Sequence, residues 1–428
     1  MLPLYRFAED RSALKKQLHR SVTFDASVQS TVDEILQDVR QNGDESVLRY
    51  TERFQGVRLE DMRVSPDEIE YAYKHADSSF LEVLEEAYRN IIRFHQHEVE
   101  KSFFYEADGG VILGQRVTAM EKALLYVPGG KASYPSSLLM NAAPAKVAGV
   151  KDIFVTTPCD AKGEVNPNIL AAASVAGVGS VYKIGGAQAI AAFAYGTDTI
   201  PKVDIITGPG NKFVALAKKQ VFGHVSIDSI AGPSEVVIIA DESANPDFIV
   251  LDMFAQAEHD PDASAVLITT SSVLAASVME YAEKRLPEML RHDIIASSLQ
   301  HNGAIVLVDN LEEACMVSDM IAPEHLELHV QNPWDILPRI HHAGAIFMGS
   351  YSCETVGDYF AGPNHTLPTN GTARFFSPLS VRDFVKHTSI ISWSKQQLHL
   401  SGEKIASFAD YEGLQAHAEA VRARLRVL

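Results

Sequence analysis

The 428-residue chain has little cysteine, no surplus of basic charge and no long apolar run. Its three cysteines, Cys159, Cys315 and Cys353, are odd in number and far apart. That pattern is a poor fit to a disulfide framework and suits a reducing cytoplasm. No Cys-x-x-Cys pair occurs, so a metal here needs nitrogen and oxygen ligands. Lysine and arginine total 37 against 55 aspartates and glutamates, a formal charge of −18. General binding to nucleic acid or anionic membrane needs clustered basic residues and is not expected. The opening residues, Met-Leu-Pro-Leu-Tyr-Arg-Phe-Ala-Glu-Asp, carry no basic region followed by an apolar run, so they do not read as a signal peptide. No apolar stretch is long enough to span a bilayer. Repeats and low-complexity runs are missing. So is the dinucleotide fingerprint G-x-G-x-x-G: Gly177 and Gly179 begin it, but Tyr182 takes the third glycine's place.

What is present is ordinary globular composition, 46% hydrophobic and 21% charged, with length enough for two or three domains. Residues 1–20 read as a short charged arm. Apolar residues at Val28, Val32, Ile35, Leu36 and Val39, and again from Phe80 to Ile92, recur at helical spacing, and 28–104 reads as helical. His95 and His97 read as a solvated helix end. From Lys122 short apolar strands alternate with helices, which means right-handed crossovers and a parallel sheet. The strands are expected at 123–127, 152–156, 180–184 and 203–206. The rhythm then restarts with strands at 235–240, 265–269, 304–308, 326–330 and 345–348. The fold class is therefore α/β, with two consecutive modules after a helical opening. After about Ser377 the chain is mixed and polar, ending in a charged helix over 411–427 with an apolar stripe suited to docking.

Four stretches carry candidate chemistry. Glu324 and His325 follow Pro323, which predicts an extended approach. An isolated pair of this kind reads more often as solvated charge at a strand edge. It becomes a site where the strand ends, and the carboxyl end is the usual place in α/β folds. Glycine turns at Gly129-Gly130, Gly185-Gly186 and Gly208-Pro209-Gly210-Asn211 each follow a strand and precede a helix. In one parallel sheet they share its carboxyl edge, where backbone N–H groups can approach a phosphate. Gln256 and His259 lie three apart near a helix end and point the same way. Residues 349–371 are rich in glycine and polar groups, including Cys353, Glu354, Asp358, Asn364 and His365, and are too dense in chemistry for a plain connector. Glu412 and His417, alone, read as solvated.

These motifs together resemble the histidinol dehydrogenase family. The matching stretches are Tyr126-Val-Pro-Gly-Gly, Gly185-Gly-Ala-Gln188, Gly208-Pro-Gly-Asn211, Ala231-Gly-Pro-Ser234-Glu-Val, Ala255-Gln256-Ala-Glu-His259-Asp, Ala322-Pro-Glu324-His325, Gly357-Asp358 through His365, and Glu412-Gly-Leu-Gln-Ala-His417. They run in order over essentially the whole chain. The resemblance implies oxidation of L-histidinol through L-histidinal to L-histidine, with NAD and Zn²⁺. It implies Glu324 and His325 as the catalytic pair and Gln256, His259, Asp358 and His417 as zinc ligands. Ser234, His365 and Glu412 would contact substrate, beside Gln256, His259, His325, Asp358 and His417. Tyr126, Gln188 and Asn211 would contact NAD. It also implies two incomplete Rossmann-like domains, one inserted in the other: 21–125 with 234–379 as the large domain, and 126–233 as the NAD-binding domain. The arm (1–20) and the tail (380–428) would intertwine in a homodimer. A related zinc- and NAD-dependent dehydrogenase of another polar alcohol is the alternative. A zinc hydrolase fits the glycine turns less well, and a catalytically silent metal- or nucleotide-binding protein would keep the motif residues intact without function.

Overall fold

The computed structural model describes residues 2–18, 24–129 and 133–428, without the side chains of residues 15 and 16. In chain order the elements begin with β1 (Leu4–Arg6), α1 (Phe7–Leu18), α2 (Ala26–Asn42), α3 (Asp44–Gln55), α4 (Pro66–His75) and α5 (Ser78–His95). Strands β2 (Phe103–Ala107), β3 (Val111–Ala119) and β4 (Lys122–Tyr126) follow. The first alternating module runs α6 (Pro135–Ala148), β5 (Asp152–Thr156), α7 (Pro167–Val175), β6 (Val181–Tyr182), α8 (Gly186–Tyr195), β7 (Ile205–Thr207), α9 (Lys212–Val221) and β8 (Ser226–Ile227). The second runs β9 (Glu235–Ala240), α10 (Pro246–Ala257), β10 (Ser264–Thr269), α11 (Ser272–Arg285), α12 (His292–Asn302), β11 (Ala304–Leu307), α13 (Leu311–Ile321), β12 (His325–His329), α14 (Pro333–Ile336), β13 (Ala345–Met348) and α15 (Glu354–Tyr359). The chain closes with β14 (Val385–Ser392), α16 (Lys395–Tyr411) and α17 (Gln415–Leu425).

Local sequence accounts for many of these boundaries. Ser65 and Glu68 form a reciprocal capping box with Pro66 in the first turn of α4. Asp77 and Asn211 cap α5 and α9 with side-chain oxygens. Strand β9, Glu-Val-Val-Ile-Ile-Ala, is buried throughout, as a strand covered on both faces of a parallel sheet must be.

Two all-parallel sheets result. One has the order β6-β5-β4-β7-β8; the other is β1-β11-β10-β9-β12-β13. Residues 4–6 thus do more than an arm would: they form the edge strand beside β11. The α2 stripe Val28, Val32, Ile35, Leu36 and Val39 is buried as the spacing predicts. It shares one core with Leu124, Ile190, Phe193 and Ile206 of the five-stranded sheet's layer. Both faces of the six-stranded sheet are covered, one by Met253 and Phe254 of α10 and Leu274 of α11, the other by Leu14 of α1 and Val317 of α13.

The chain divides into two compact units, 1–98 with 121–384, and 99–120 with 385–428. The second unit holds an antiparallel sheet, β14-β3-β2, and the helix pair α16 and α17. The sequence reading ran a helical pattern to 104 and stopped short of this sheet. Strand β2, Phe-Phe-Tyr-Glu-Ala, is exposed at four of its five positions, so no one-sided alternation marks it.

Candidate active site

Strands β9 and β12 are neighbours in register, with His325 opposite Val236. Ser234 and Glu235 open the first; Glu324 and His325 open the second. The candidate centre therefore lies at the amino edge of this sheet, not the carboxyl edge the usual rule suggests. Nor is β12 an edge strand with solvated charges: it runs between β9 and β13, and all five of its residues are buried. The approach to the pair also differs. Ala322 takes a left-handed conformation, φ 53° and ψ 63°, instead of the extended one expected before Pro323. Its N–H donates to the Ser318 carbonyl at 2.8 Å, ending α13 in a sharp turn. For alanine this conformation costs about 1–2 kcal/mol, which the complete burial of Ala322 offsets.

His325 is 4% exposed and Glu324 is 6% exposed. The His325 Nδ1 lies 3.1 Å from the Glu235 carbonyl oxygen. The Gln256 amide nitrogen is 3.0 Å from the same Nδ1. Nε2 is buried with no hydrogen-bond partner among the described residues. Burial pushes the His325 pKa below the ordinary histidine value, against an opposing pull from Asp358. The imidazole is thus a neutral base near pH 7. Glu324 accepts from the Glu235 N–H at 3.0 Å and sits 3.8 Å from His325 Nδ1. Burial raises its pKa well above the carboxylate range; the Glu235 N–H opposes this, and the neighbouring acids Glu235 and Asp358 add to it.

Helix α10 brings in Gln256 at its end, and α15 brings Glu354 and Asp358 one turn apart. His325, Glu354 and Asp358 offer ligand atoms within 4.8 Å of one another. The His365 Nδ1 donates to the Asp358 carbonyl at 2.9 Å and lies 3.9 Å from its carboxylate. Burial lowers the His365 pKa as well. His259 is exposed, two residues beyond the end of α10. Among the described residues the ion-pair partners of Glu324, Glu354 and Asp358 are imidazoles. Buried carboxylates without a lysine or arginine favour a bound cation. The Gln256 amide oxygen is fully buried and has no hydrogen-bond partner. An orphaned amide oxygen, a carboxylate and an imidazole match the hard and borderline donors that Zn²⁺ takes. Gln256 and Asp358 therefore offer donors that fit the metal.

The glycine turns lie on the carboxyl edge of the five-stranded sheet. A side chain at Gly129 or Gly185 would strike Pro158, at 2.3 and 2.9 Å. Gly208 has φ 104°, and a Cβ there would sit 2.1 Å from the Tyr126 carbonyl oxygen. The Tyr126 hydroxyl accepts from the Gly186 N–H at 3.1 Å, tying two turns together. Gln188 is buried with its amide oxygen unpartnered, and Asn211 is exposed at the start of α9. Gly130 lies outside the described residues.

Ser234 is half-buried, and its carbonyl accepts from the Ser264 N–H at 3.0 Å. Glu412 and His417 are exposed and belong to the unit of residues 99–120 and 385–428. Three other residues gain a place at the site that the sequence did not assign them. Glu354 is 3% exposed, with one carboxylate oxygen unpartnered, and its pKa is raised well above normal by burial. Glu235 supplies a backbone contact to each of Glu324 and His325. His95 is fully buried, not solvated; it pairs with Glu98 at 2.7 Å and lies 3.2 Å from Asn364, beside His365. Its burial arises from chain segments 269 residues apart, which local charge pattern does not register. Cys159 is buried with its thiol pushed up in pKa, which disfavours a thiolate nucleophile there.

Glycine turns on one parallel sheet and a buried base among metal-fitting donors on another define an α/β enzyme of the dehydrogenase class. The histidinol dehydrogenase family model matches residues 18–425. The histidinol dehydrogenase of Chlorobium chlorochromatii is 74% identical over 428 residues, covering 100% of both chains. That of Bacillus thuringiensis is 52% identical over 398 residues, 93% of this chain and 92% of the relative. The crystal structure of histidinol dehydrogenase from Elizabethkingia anophelis superposes with a TM-score of 0.94 at 36% identity, covering 100% and 98% of the two chains. The chain belongs to the histidinol dehydrogenase family. No helix among the described residues is long and apolar enough to cross a membrane.

Proposed function

We propose that this chain oxidises L-histidinol through L-histidinal to L-histidine, the closing steps of histidine biosynthesis, in the cytoplasm. The observation that carries the reading is His325: buried, neutral, with Nδ1 anchored and Nε2 open. Its Nε2 takes the proton of the substrate hydroxyl as the adjacent carbon gives up hydride. The aldehyde then adds water, and Glu324 is the base for that water. As water adds, Glu324 takes the water proton and the aldehyde oxygen takes back the proton held by His325; the gem-diol then gives a hydroxyl proton to the freed His325 as its carbon yields the second hydride. A cation held by the neighbouring donors would lower the Glu324 pKa and keep its carboxylate available.

NAD⁺, when bound, accepts the hydride of each oxidation. Zn²⁺, when bound, supplies an orienting charge for the substrate nitrogens. Gln256, His259 and Asp358, with His417, would hold the metal. Ser234, His365 and Glu412 would contact substrate; the acidic surroundings suit an ammonium and an imidazole. Tyr126, Gln188 and Asn211 would line the nucleotide path. The active form is a homodimer in which the tail of one subunit, with its Glu412 and His417, completes the other's site. Exposed Phe104, Ile391, Leu400 and Phe408 in that unit support a covered surface there. Purified protein should release two NADH per histidinol, none after chelation, and regain activity with Zn²⁺. One NADH per histidinol, or turnover indifferent to chelation, would overturn the reading.

A further inference from the structure

Behind the centre, on the same face of β12 as His325, stand Glu327 and His329. Glu327 is completely buried and His329 is 1% exposed. One Glu327 oxygen accepts from the backbone N–H of Glu354 at 2.8 Å. The other accepts from the His329 Nε2–H at 3.2 Å. Asp252 of α10 lies 3.6 Å from that same Nε2, and the three side chains bring ligand atoms within 4.8 Å of one another. Among the described residues these three groups have no lysine or arginine in an ion pair with them. An apolar residue at position 327 would serve the sheet more cheaply than a dehydrated carboxylate. The contact with Glu354 therefore calls for another reason.

We propose that Glu327 is a positioning residue for the segment Glu354–Asp358, held in its working orientation by His329 and Asp252. The segment is one short helix, so fixing the N–H of Glu354 fixes Asp358 one turn on. The other end is tied by the His365 contact to the Asp358 carbonyl. The unit also joins three elements around the centre: β12 with His325, α10 with Gln256, and α15 with Asp358. Burial and Glu327 together push Asp252 up to about 8, in keeping with a proton shared between the two carboxylates. This proposal rests on the reading of Asp358 as a metal ligand near the substrate.

The test uses zinc-loaded protein carrying Glu327→Leu, Glu327→Gln or His329→Gln. Zinc release to a chelator is timed, and kcat and KM for histidinol are measured separately. Loss of an outer partner of a metal ligand costs about 10–100-fold in metal affinity or activity. Glu327→Leu should speed zinc release and lower kcat by about that factor, with the NAD KM within about twofold of the original. Glu327→Gln keeps an acceptor oxygen for the Glu354 N–H and should recover most of both losses. Should Glu327→Leu fail to fold, His329→Gln still tests the idea, with smaller changes in the same directions. A folded Glu327→Leu protein with unchanged zinc release and kcat would overturn the proposal. So would two zinc ions per chain in the unmodified protein falling to one in Asp252→Asn, since the cluster would then be a metal site. If the unmodified protein oxidises no histidinol, the functional reading fails instead.

Discussion

The two parallel sheets treat buried charge in opposite ways. At the glycine edge of the five-stranded sheet, the ammonium of Lys218, 2% exposed, meets Asp228 directly. The same pair grips Gly208 from both sides: Lys218 donates to its carbonyl at 2.8 Å and Asp228 accepts from its N–H at 2.8 Å. Charge there is cancelled within the protein and used to fix a backbone turn. At the amino edge of the six-stranded sheet Glu324 and Glu354 are raised in pKa by burial, and so is Asp252 behind them. Charge there is left for something else to cancel. A self-neutralised edge suits backbone recognition of a nucleotide; an edge short of positive charge suits a divalent cation and a cationic substrate.

Substitutions can break the contrast at either end. Lys218→Met removes one partner of a buried pair and should cost about 3–5 kcal/mol, measured by denaturant unfolding. Gly208→Ala adds a Cβ to a left-handed residue already against Tyr126 and should cost about 1–3 kcal/mol, with a raised KM for NAD. The acidic edge should answer with the opposite sign. Asp252 holds in the folded state a proton that the unfolded chain releases above its ordinary value of 3.8. Its contribution to stability is complete below about pH 4 and is lost as pH rises through about 8. Asp252→Asn should therefore flatten the decline in stability of chelated protein between those values, read from melts at several pH values; an unchanged slope would remove Asp252 as its source. The smallest effect is expected at Ala322. Glycine there relieves about 1–2 kcal/mol of strain but returns about 0.5–1 kcal/mol in unfolded-state entropy. The net gain should stay below about 1.5 kcal/mol.

Most of the sheet architecture was legible because buried parallel strands advertise themselves. Val-Val-Ile-Ile in β9 and Ala-Ile-Val-Leu in β11 permit little else. The exposed antiparallel strands near 103–119 and 385–392 carry no such signal. The edge strand at Leu4–Arg6 is three residues long, too short for periodicity to register. At the site, motif residues could be named from the chain alone, but their roles rested on resemblance. Alternation places Glu327 and His329 on the face opposite Leu326 and Leu328 but does not report whether that face is covered. Only the packing of α10 and α15 over that face turns their charges into structure. The left-handed Ala322 was equally hidden, because local preference before proline points the other way and the buried turn overrides it.

The central claim is that Glu324 and His325 divide the work: His325 moves protons in both oxidations and Glu324 acts on water between them. Single-turnover kinetics of Glu324→Gln, started separately from histidinol and from histidinal, test this most directly. The account predicts alcohol oxidation within a few-fold of the unmodified rate and aldehyde oxidation slowed by about 10²-fold or more. Equal losses in the two half-reactions would contradict it.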